Sequence, residues 1–485
     1  MKNSKRMITI LASLMAVTML ATGCAEQSED TVNTGNTSVS SQAQSSDSSA
    51  ELTGTDNAKS SKTGRNTQTI NIDPGTEETE SSDADASSPW DKTTSSESES
   101  DTAVTAVSSV NGKLDTSDMF SKRDLNQTAD LSEAKSLTVS DGETIDITEA
   151  GVYVISGSAS DCTIKVNCSD ENAKVQLVLD NVSITNSDFP AIYVVSADKV
   201  FVTTADGSSN TLSVTGSFKA DGDTNTDAVI YSRDDLVLNG LGTLTVNSAS
   251  GNGITSKDDL KVTGGTYNIT SALDAIEAND SVRISGGTFS ITSSKDGIHA
   301  ENSDDDSKGY VYISGGTFSI SARSDGIQAT SVLQIDGGSF EILASEGLES
   351  TYIQINGGEL KLTSTDDGVN ASQKSQSVGT PTFEMTGGTL TISMSSGDTD
   401  AIDANGSVIV SGGTIDITSP LSGPSESFDY DGTATYTGGT IIVNGETLSE
   451  IPTPAMMGGG GFGGGGQRGG FGGDGFGGGG RGRMN

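Results

Sequence analysis

Acidic side chains recur at a regular spacing in the second half of the chain, each followed by a small residue and then an aliphatic one. If successive coils of the chain stack, this series becomes a column of carboxylates about 4.8 Å apart. Like charges at that distance repel by roughly 1 kcal/mol per pair even in water, so the column needs a compensating cation. Calcium prefers carboxylate and carbonyl oxygens and is the predicted cofactor. The acids of the series are Asp274, Asp296, Asp325, Glu346, Asp367 and Asp400.

Two more acids and two cations lie near this series in the sequence. Asp258 and Asp280 are predicted to complete the oxygen shells of bound calcium. Alternatively, the aspartates make Asx-type hydrogen bonds at turns and hold no metal. Lys295 and Arg323 flank the series, so we expect the chain itself to neutralise part of the charge.

A second group of polar and aromatic side chains precedes the recurring Gly-Gly pairs. On an exposed flat sheet, Tyr rings would pack on pyranose faces while amide and guanidinium groups bind sugar hydroxyls. Tyr is also a favourable strand residue, so ordinary cross-strand stacking is the alternative. The predicted carbohydrate-binding residues are Arg283, Tyr310, Tyr312, Gln334, Tyr352 and Gln354.

The sequence offers no complete catalytic constellation, and we predict no catalytic residue. His299 is the only histidine, so neither a Ser/His/Asp nor a Cys/His arrangement can be assembled. Its place in the repeat accepts many polar types, which predicts a solvent-exposed surface. A lyase using calcium and a basic side chain is the alternative, with Lys295 and Arg323 as candidate bases. The residues equivalent to His299 in other coils are Glu277, Gln328, Glu349, Asn370 and Asp403.

The elements that would position these residues are short strands in a repeat of about 20–22 residues, which is typical of a solenoid. Gly-Gly pairs such as Gly286-Gly287 mark one turn, and the acid marks another. Between turns, alternate residues are apolar, so each strand has one inward face. Three inward-facing sets per repeat predict an all-β fold, a three-sided parallel β-helix of stacked coils.

Composition agrees with a narrow solenoid core and limits the partners. Of 485 residues, only 32% are hydrophobic and 5% aromatic, which is too little for a compact core along the whole chain. The net charge of −39 argues against nucleic acid and anionic lipid as direct partners, because both are polyanions. It favours cations, or a polyanion held through bridging cations.

The N-terminal segment has the pattern of a bacterial lipoprotein signal. Three basic residues precede the apolar run Met7–Leu20, and small residues lead to Cys24. We expect residues 1–23 to be a signal peptide and Cys24 to carry a two-chain lipid anchor, which is enough for stable membrane attachment. A plain secreted protein is the alternative.

Composition changes set the other boundaries. The spacer and the tail have almost no aliphatic pattern and are predicted to be disordered. We assign residues 24–115 to the lipidated Cys and a Ser/Thr/Asp-rich spacer, 116–135 to a capping helix or strap, 136–450 to the β-helix domain, and 451–485 to a Gly/Phe/Arg-rich tail.

Cys162 and Cys168 flank the short strand segment Thr163–Asn167. Facing each other across adjacent turns, they would form a disulfide in an oxidising compartment. Two buried thiols that pack as small hydrophobes are the alternative.

Several segments, in this order, resemble the calcium-containing β-helix carbohydrate-binding domain of clostridial and related Gram-positive surface proteins. The resemblance covers about Ser136–Leu448 and includes the Asp-Gly-Ile and Gly-Gly-Thr coils. It implies a pectate-lyase-like, right-handed parallel β-helix, bound calcium, and non-catalytic binding of plant-wall or acidic polysaccharide. The other matching segments are Val152–Gly157, Val175–Thr185, Pro190–Tyr193, Lys199–Thr204 and Ser256–Leu260.

Together these observations predict a lipid-anchored protein on the extracellular face of the cell membrane. It would bind a polysaccharide, cellulose-like or pectin-like, without catalysis and with structural or bridging calcium. Nucleic acid is not an expected partner. The alternatives are a polysaccharide lyase of the same fold and a structural or adhesion solenoid without a sugar ligand.

Overall fold

The computed structural model of the protein describes residues 114–397, 399–420 and 425–454. Within these ranges every regular element is a strand, and no helix is long and apolar enough to cross a membrane. The predicted signal peptide, Cys24, nearly all of the spacer and the tail from residue 455 onward lie outside the described residues.

Each coil contributes one strand to each of three sheets, and neighbouring coils pair in parallel. Sheet 1 precedes the Gly-Gly turns, sheet 2 follows them, and sheet 3 follows the acids. Sheets 1 and 2 are joined because Gly151–Ser160 and Lys174–Asn186 each bend from one into the other.

The strands alternate along the chain between the three sheets. Besides the two shared strands, sheet 1 contains Lys135–Thr138, Lys199–Thr204, Asp235–Gly240, Asp259–Val262, Ser281–Ile284, Tyr310–Ile313, Val332–Ile335, Tyr352–Ile355, Thr382–Met385, Ser407–Val410 and Ala434–Tyr436. Sheet 2 contains Ser209–Val214, Thr243–Ser248, Thr266–Ser271, Thr288–Ser293, Thr317–Ser321, Ser339–Ala344, Glu359–Ser364, Thr389–Met394, Thr414–Thr418, Thr440–Val443 and the antiparallel Glu446–Leu448. Sheet 3 contains Thr144–Ile147, Thr163–Asn167, Ile192–Ser196, Ala228–Ser232, Asn252–Ser256, Ile276–Ala278, Ile298–Ala300, Asp325–Ala329, Glu346–Ser350, Val369–Ala371, Ile402–Ala404 and Asp429–Tyr430.

The predicted parallel β-helix and its register are confirmed. Ile276 pairs with Ile298 in sheet 3, and both side chains are completely buried. In sheet 2, the rings of Phe289 and Phe318 stack inside the helix with centroids 4.7 Å apart. Side chains of the same type therefore stack from one coil to the next. This stack of aliphatic and aromatic side chains forms the core.

The Gly-Gly turn between sheets 1 and 2 requires its second glycine. Gly287 has φ 119°, a backbone conformation that side chains other than glycine rarely adopt. A Cβ atom there would also lie 3.1 Å from the Phe289 ring. The tight turn brings each aromatic ring inward directly below the glycine, so the turn and the core stack are built together.

Residues 114–134, the strap, run as turns and extended chain along the outer face of sheet 1, without a helix. Leu114 donates its backbone N–H to Gln334 Oε1 at 3.0 Å, eight coils from the first strand of sheet 1. Met119 and Phe120 pack on the same face, with the Phe120 ring 6.3 Å from the Tyr312 ring. The strap thus covers much of the outer face of sheet 1, which the sequence pattern predicted to be exposed to solvent.

The prediction of an exposed carbohydrate-binding face on sheet 1 is therefore wrong. Outward-pointing residues of a solenoid strand are solvent-exposed only if no other segment packs on them, and here the strap does. All six predicted residues are buried, with relative exposures of 0–9%: Arg283, Tyr310, Tyr312, Gln334, Tyr352 and Gln354.

A buried ion cluster fixes the strap over the N-terminal coils. The Asp124 carboxylate is fully buried and lies 3.3 Å from Lys261 Nζ and 4.0 Å from Lys199 Nζ. Gln127 then accepts the Gly240 N–H at 2.9 Å. A buried carboxylate is tolerated only when cations and donors surround it, so Asp124 holds the strap in a single position.

The two cysteines were expected to form either a disulfide or two buried thiols, and the structure shows two buried thiols. Cys162 and Cys168 are both free and buried in the core. Burial raises the pKa of each thiol, which keeps it neutral and unreactive.

Candidate metal centre

The acids of the predicted series do form a column, along the corner between sheets 2 and 3. The backbone N–H of Asp296 donates to Asp274 Oδ1, and that of Asp325 to Asp296 Oδ1, both at 3.0 Å. Farther along, the Asp400 N–H donates to Asp367 Oδ1 at 2.8 Å. Each such carboxylate therefore uses one oxygen to hold the next coil and keeps the other for a different partner.

The small residue after each acid explains why successive coils can approach each other so closely along the column. A Cβ atom at Gly297 would lie 2.6 Å from the Gly326 carbonyl oxygen and 2.6 Å from Ile320 Cγ2. Glycine at this step lets the chain turn tightly into sheet 3, with the aliphatic residue entering the core. The acid-glycine-aliphatic sequence is thus a packing requirement as well as a source of charge.

At its N-terminal end the column is neutralised by the chain's own cations; we call Asp274, Asp296, Lys295 and His299 the paired cluster. Lys295 Nζ lies 2.8 Å from Asp274 Oδ2 and 3.6 Å from Asp296 Oδ2. His299 Nδ1 lies 3.4 and 3.6 Å from the same two oxygens. The prediction that Lys295 neutralises part of the column is confirmed by this geometry.

The pKa values in the paired cluster follow from these contacts. Burial opposes ionisation of Asp274, but hydrogen bonds and charge from His299 and Lys295 outweigh it and lower the pKa of that carboxyl to about 2. Burial also disfavours charged His299 and Lys295, yet their contacts with Asp274 raise the pKa of both. For Asp296, burial and the Asp274 charge raise the pKa.

The next coils carry a second group, Asp325, Glu346 and Glu349, which we call the open cluster. One carboxylate oxygen of each lies within 4.8 Å of the others. Burial and neighbouring carboxylates raise the pKa of Asp325 to about 8 and that of Glu346 to about 7. Two carboxyls that resist ionisation at this distance from each other are the expected sign of a missing positive charge.

Among the described residues, a cationic side chain contacts Glu349 but no other member of the open cluster. Lys374, on the insertion loop formed by residues 372–381, places Nζ 2.8 Å from Glu349 Oε2. Burial opposes ionisation of Glu349, but hydrogen bonds from Lys374 and Gln328 lower its pKa. Asp325 and Glu346 gain no such contact.

Beyond the open cluster the column continues as half-buried acids. Burial, with the charges of neighbouring acids, raises the pKa of Asp367 to about 6 and that of Asp403 to about 7. The negative charges of Asp400 and Asp429 contribute to the raised pKa of Asp403. The C-terminal half of the column is therefore acidic and more accessible than the paired cluster.

Asp258 and Asp280 each follow a sheet 3 strand, whereas the acids of the column precede or begin these strands, and their predicted part in a metal site stays a prediction. Asp280 lies two residues after the sheet 3 strand Ile276–Ala278, whereas Asp274 lies two residues before it. The two acids therefore lie at opposite ends of this strand. Asp280 is instead bound by Lys308 at 2.5 Å, and burial and nearby acids raise the pKa of Asp258 to about 7.

Sequence analysis missed His299, Glu349 and Asp403 as members of the site. The expectation of a solvent-exposed His299 is wrong, because its exposure is 4%. His299 and Glu349 each follow an acid by three places and lie close to it: His299 Nδ1 is 3.6 Å from Asp296 Oδ2, and Glu349 has a carboxylate oxygen within 4.8 Å of one of Glu346. The available signal was that this position is never apolar in these coils.

The donor set suits a hard divalent cation such as calcium. The open cluster and its neighbours offer carboxylate and amide oxygens, which calcium prefers. Asn370 donates to Glu346 Oε2 at 3.0 Å, and its own Oδ1 is buried without a hydrogen-bond partner among the described residues. A buried amide oxygen beside unneutralised carboxyls lacks the positive partner that such a cation would supply.

Sequence comparison places the chain in a family. Residues 141–399 and 349–449 match the sequence profile of the carbohydrate-binding domain-containing proteins, and the first match alone spans more than half of the chain. The chain therefore belongs to this family. A relative of the same description from Acetivibrio thermocellus is 43% identical over 135 residues, 27% of this chain and 46% of the relative. The match thus spans less than half of that relative's length.

A solved structure is also similar to this chain. It is described as the polysaccharide lyase-like protein from C. thermocellum, gadolinium derivative. It is 34% identical, with a TM-score of 0.39, and covers 47% of this chain and 93% of its own.

Proposed function

We propose that this family member is a non-catalytic protein of the cell surface that binds acidic or plant-wall polysaccharide through calcium on its acid column. The observation that carries the proposal is the open cluster, in which Asp325 and Glu346 approach each other without a cation. Calcium there would lower both pKa values, neutralise the column and leave coordination positions for uronate carboxylates.

Calcium is essential to this mechanism because the protein is strongly acidic. A net charge of −39 repels a polyuronate, and a bridging divalent ion converts that repulsion into attraction. Glu346 and Asp367 are half-buried, so a polysaccharide carboxylate has access to a metal held at this corner.

Two observations favour binding over lyase chemistry. Lys295, the basic residue nearest the column, is ion-paired with Asp274, and its pKa is raised. A lysine base requires the opposite shift. The second candidate, Arg323, is a guanidinium that stays protonated in proteins and does not accept a proton at neutral pH.

The location we propose rests on the sequence of the N-terminal segment. A lipid on Cys24 would attach the chain to the outer face of the membrane, and the polar segment up to residue 113 would carry the β-helix outward. Labelling of cells with radioactive palmitate tests the anchor, and a Cys24→Ala variant that remains labelled contradicts it.

Binding of polygalacturonate tests the function. We expect the full chain to be retained on immobilised polygalacturonate in calcium and released by EDTA. Asp325→Asn combined with Glu346→Gln should weaken calcium binding at least tenfold in isothermal titration and abolish retention. Glu149→Gln, at an exposed acid far from the column, is the control. Retention that persists in EDTA would refute the calcium bridge.

A further inference from the structure

One carboxyl group of the strap and two lysines of sheet 1 form a buried group, and we call Asp124, Lys199 and Lys261 the strap cluster. Lys261 Nζ lies 3.3 Å from Asp124 Oδ2, and Lys199 Nζ lies 4.0 Å from Asp124 Oδ1. The exposed fractions are 0% for Asp124, 2% for Lys199 and 4% for Lys261. An amine and a carboxyl group are thus held in contact where bulk water does not reach.

Apolar side chains of sheet 1 lie beside the strap cluster. Val237 pairs with Lys261 on the neighbouring strand, and Phe201 pairs with Val237 on the next one. Both apolar residues are at most 1% exposed, and the Arg123 guanidinium lies 4.6 Å from the centre of the Phe201 ring. In such surroundings the effective dielectric is low, so two buried charges cost more free energy than neutral groups of the same shape.

Hydrogen bonds fix Asp124 against the lysines. Its carbonyl oxygen accepts a hydrogen bond from Thr263 Oγ1, and its Oδ2 accepts the Ser121 N–H at 2.9 Å. Its Oδ1 is buried and accepts no hydrogen bond from the described residues. One carboxylate oxygen is therefore held beside the Lys261 amine, while the other lies 4.0 Å from a second ammonium group.

The two lysines differ in what else surrounds them. Lys199 Nζ lies 3.5 Å from Asp235 Oδ2, so a second carboxylate stabilises its positive charge. Burial, with the positive charges of Arg283 and Lys199, outweighs the nearby carboxylates and lowers the pKa of Lys261. The site therefore favours the neutral amine of Lys261, and a neutral lysine amine is a nucleophile.

We propose that Lys261 and Asp124 join in an amide bond between Nζ and Cγ, an isopeptide bond, with release of one water molecule. The Lys261 ammonium first gives a proton to Asp124 Oδ2 across the 3.3 Å contact. The lone pair of the neutral amine then forms a bond to Cγ. The Cγ–Oδ2 bond breaks, and this oxygen leaves as water with a second proton from the nitrogen. The reaction needs no oxidant, reductant or further reactant.

The strap cluster favours this reaction in three ways. The fold holds the amine and the carboxyl group in contact, which removes the entropic cost of bringing them together. The positive charge of Lys199 stabilises the negative charge that develops on Oδ1 when nitrogen adds to Cγ. The amide is neutral, so its formation removes two charges from a buried site.

The bond would attach the strap covalently to the β-helix. Asp124 and Lys261 are 137 positions apart in the sequence, so the amide closes a large loop of chain. A force applied on the N-terminal side of Asp124 would then be carried into sheet 1 by a covalent bond. This inference depends neither on calcium nor on polysaccharide binding.

Peptide mapping of the full chain tests the inference. Trypsin does not cleave after a lysine whose amine is an amide, so residues 258–283 should remain one peptide and carry residues 124–135 as a branch. We digest the protein after unfolding in urea, in which an ion pair does not hold two peptides together. Tandem mass spectrometry should find the branched peptide at the summed mass of its two parts minus one water, joined between Asp124 and Lys261.

Three variants separate the roles of the lysines. Lys261→Arg keeps the positive charge but has no nucleophilic amine, so it should abolish the branched peptide. Lys199→Met removes the charge beside Oδ1 and should lower the linked fraction several-fold; an unchanged fraction contradicts that role. Lys308→Met removes an ion pair away from the strap and, as the control, should leave the linked fraction unchanged.

The wild-type result decides the inference, so it stands even if a variant fails to fold. Recovery of residues 124–135 and 258–261 only as separate peptides overturns the inference. A branch at Lys199 in place of Lys261 also overturns it, as does a branched peptide that persists in Lys261→Arg.

Discussion

The paired cluster and the open cluster are built on the same backbone but neutralise their charge differently. In the paired cluster, Lys295 supplies a cation to Asp274 and Asp296 from within the turn. In the open cluster, no cationic side chain of the described residues pairs with Asp325 or Glu346, and the pKa values of both are raised. A repeat protein can thus keep one fold along its length while the charge balance of its coils differs.

Removing the lysine of the paired cluster should give the largest effect. Lys295→Met leaves the buried Asp274 and Asp296 carboxylates with one fewer cation. Breaking a buried pair costs about 3–5 kcal/mol, and the partial exposure of Lys295 reduces this to roughly 2–4 kcal/mol. Urea unfolding in EDTA measures the loss. Lys361→Met removes an exposed ion pair and should leave the free energy of unfolding close to that of wild type. Equal effects of the two variants would contradict the distinction between buried and exposed pairs.

The pH dependence of stability should differ with and without calcium. The folded pKa values of Asp325 and Glu346 lie above those of the unfolded chain, so the folded state binds more protons between about pH 4 and pH 8. Stability of the metal-free protein therefore falls as pH rises through that window. His299 adds to this trend, because its pKa is raised in the folded state. The stabilisation that results is fully present below the unfolded pKa of histidine and is lost as pH rises through the folded pKa.

Melting temperatures at pH 5 and pH 8 check this expectation. In EDTA we expect the lower value at pH 8, and in calcium the difference should shrink because the metal replaces the protons. The opposite shift of Asp274, whose pKa is about 2, matters only in strong acid: its contribution is lost as pH falls from about 4 through 2. A metal-free protein that is equally stable at both pH values would contradict the raised pKa values.

A smaller effect is expected at Lys374, the one cation among the described residues that contacts the open cluster. Lys374→Met removes the ammonium 2.8 Å from Glu349 and should increase calcium affinity several-fold, because the ion no longer competes with it. Isothermal titration measures the change. Lys308→Met, which frees Asp280 away from the column, is the matched control and should leave calcium affinity unchanged. Reduced affinity in Lys374→Met would show that the lysine supports the site.

The smallest effect is expected for Asp280, at the far end of the sheet 3 strand. Asp280→Asn should leave calcium affinity within twofold of wild type, because Asp280 lies at the other end of the strand Ile276–Ala278 from Asp274 and is paired with Lys308. Calcium titration measures this. A large loss of affinity would return Asp280 to the metal site and contradict the division between the two ends of the strand.

The repeat predicted the fold and the acids of the candidate metal site, but not the other side chains of that site. Period-2 alternation and the Gly-Gly spacing indicate three inward faces per coil, and the register Ile276–Ile298 follows directly. The acid column follows from the same register. The members three places later, His299 and Glu349, were not found, because spacing alone does not express which outward side chains lie against the acids.

The sequence by itself determined what repeats: the coil, its core and the column of acids, since each depends on local alternation and identical neighbours. Only the tertiary structure decided what packs on the outside. The strap reaches sheet 1 from more than a hundred residues away in sequence, as the contact between Leu114 and Gln334 shows, and it buries the tyrosines expected to be exposed. Lys374 reaches Glu349 from an insertion loop in the same way. The strap and the insertion loop are not part of the repeat, so the repeat pattern does not predict what they contact. For this reason the exposure of sheet 1 and the pairing of Glu349 could be read only from the tertiary structure.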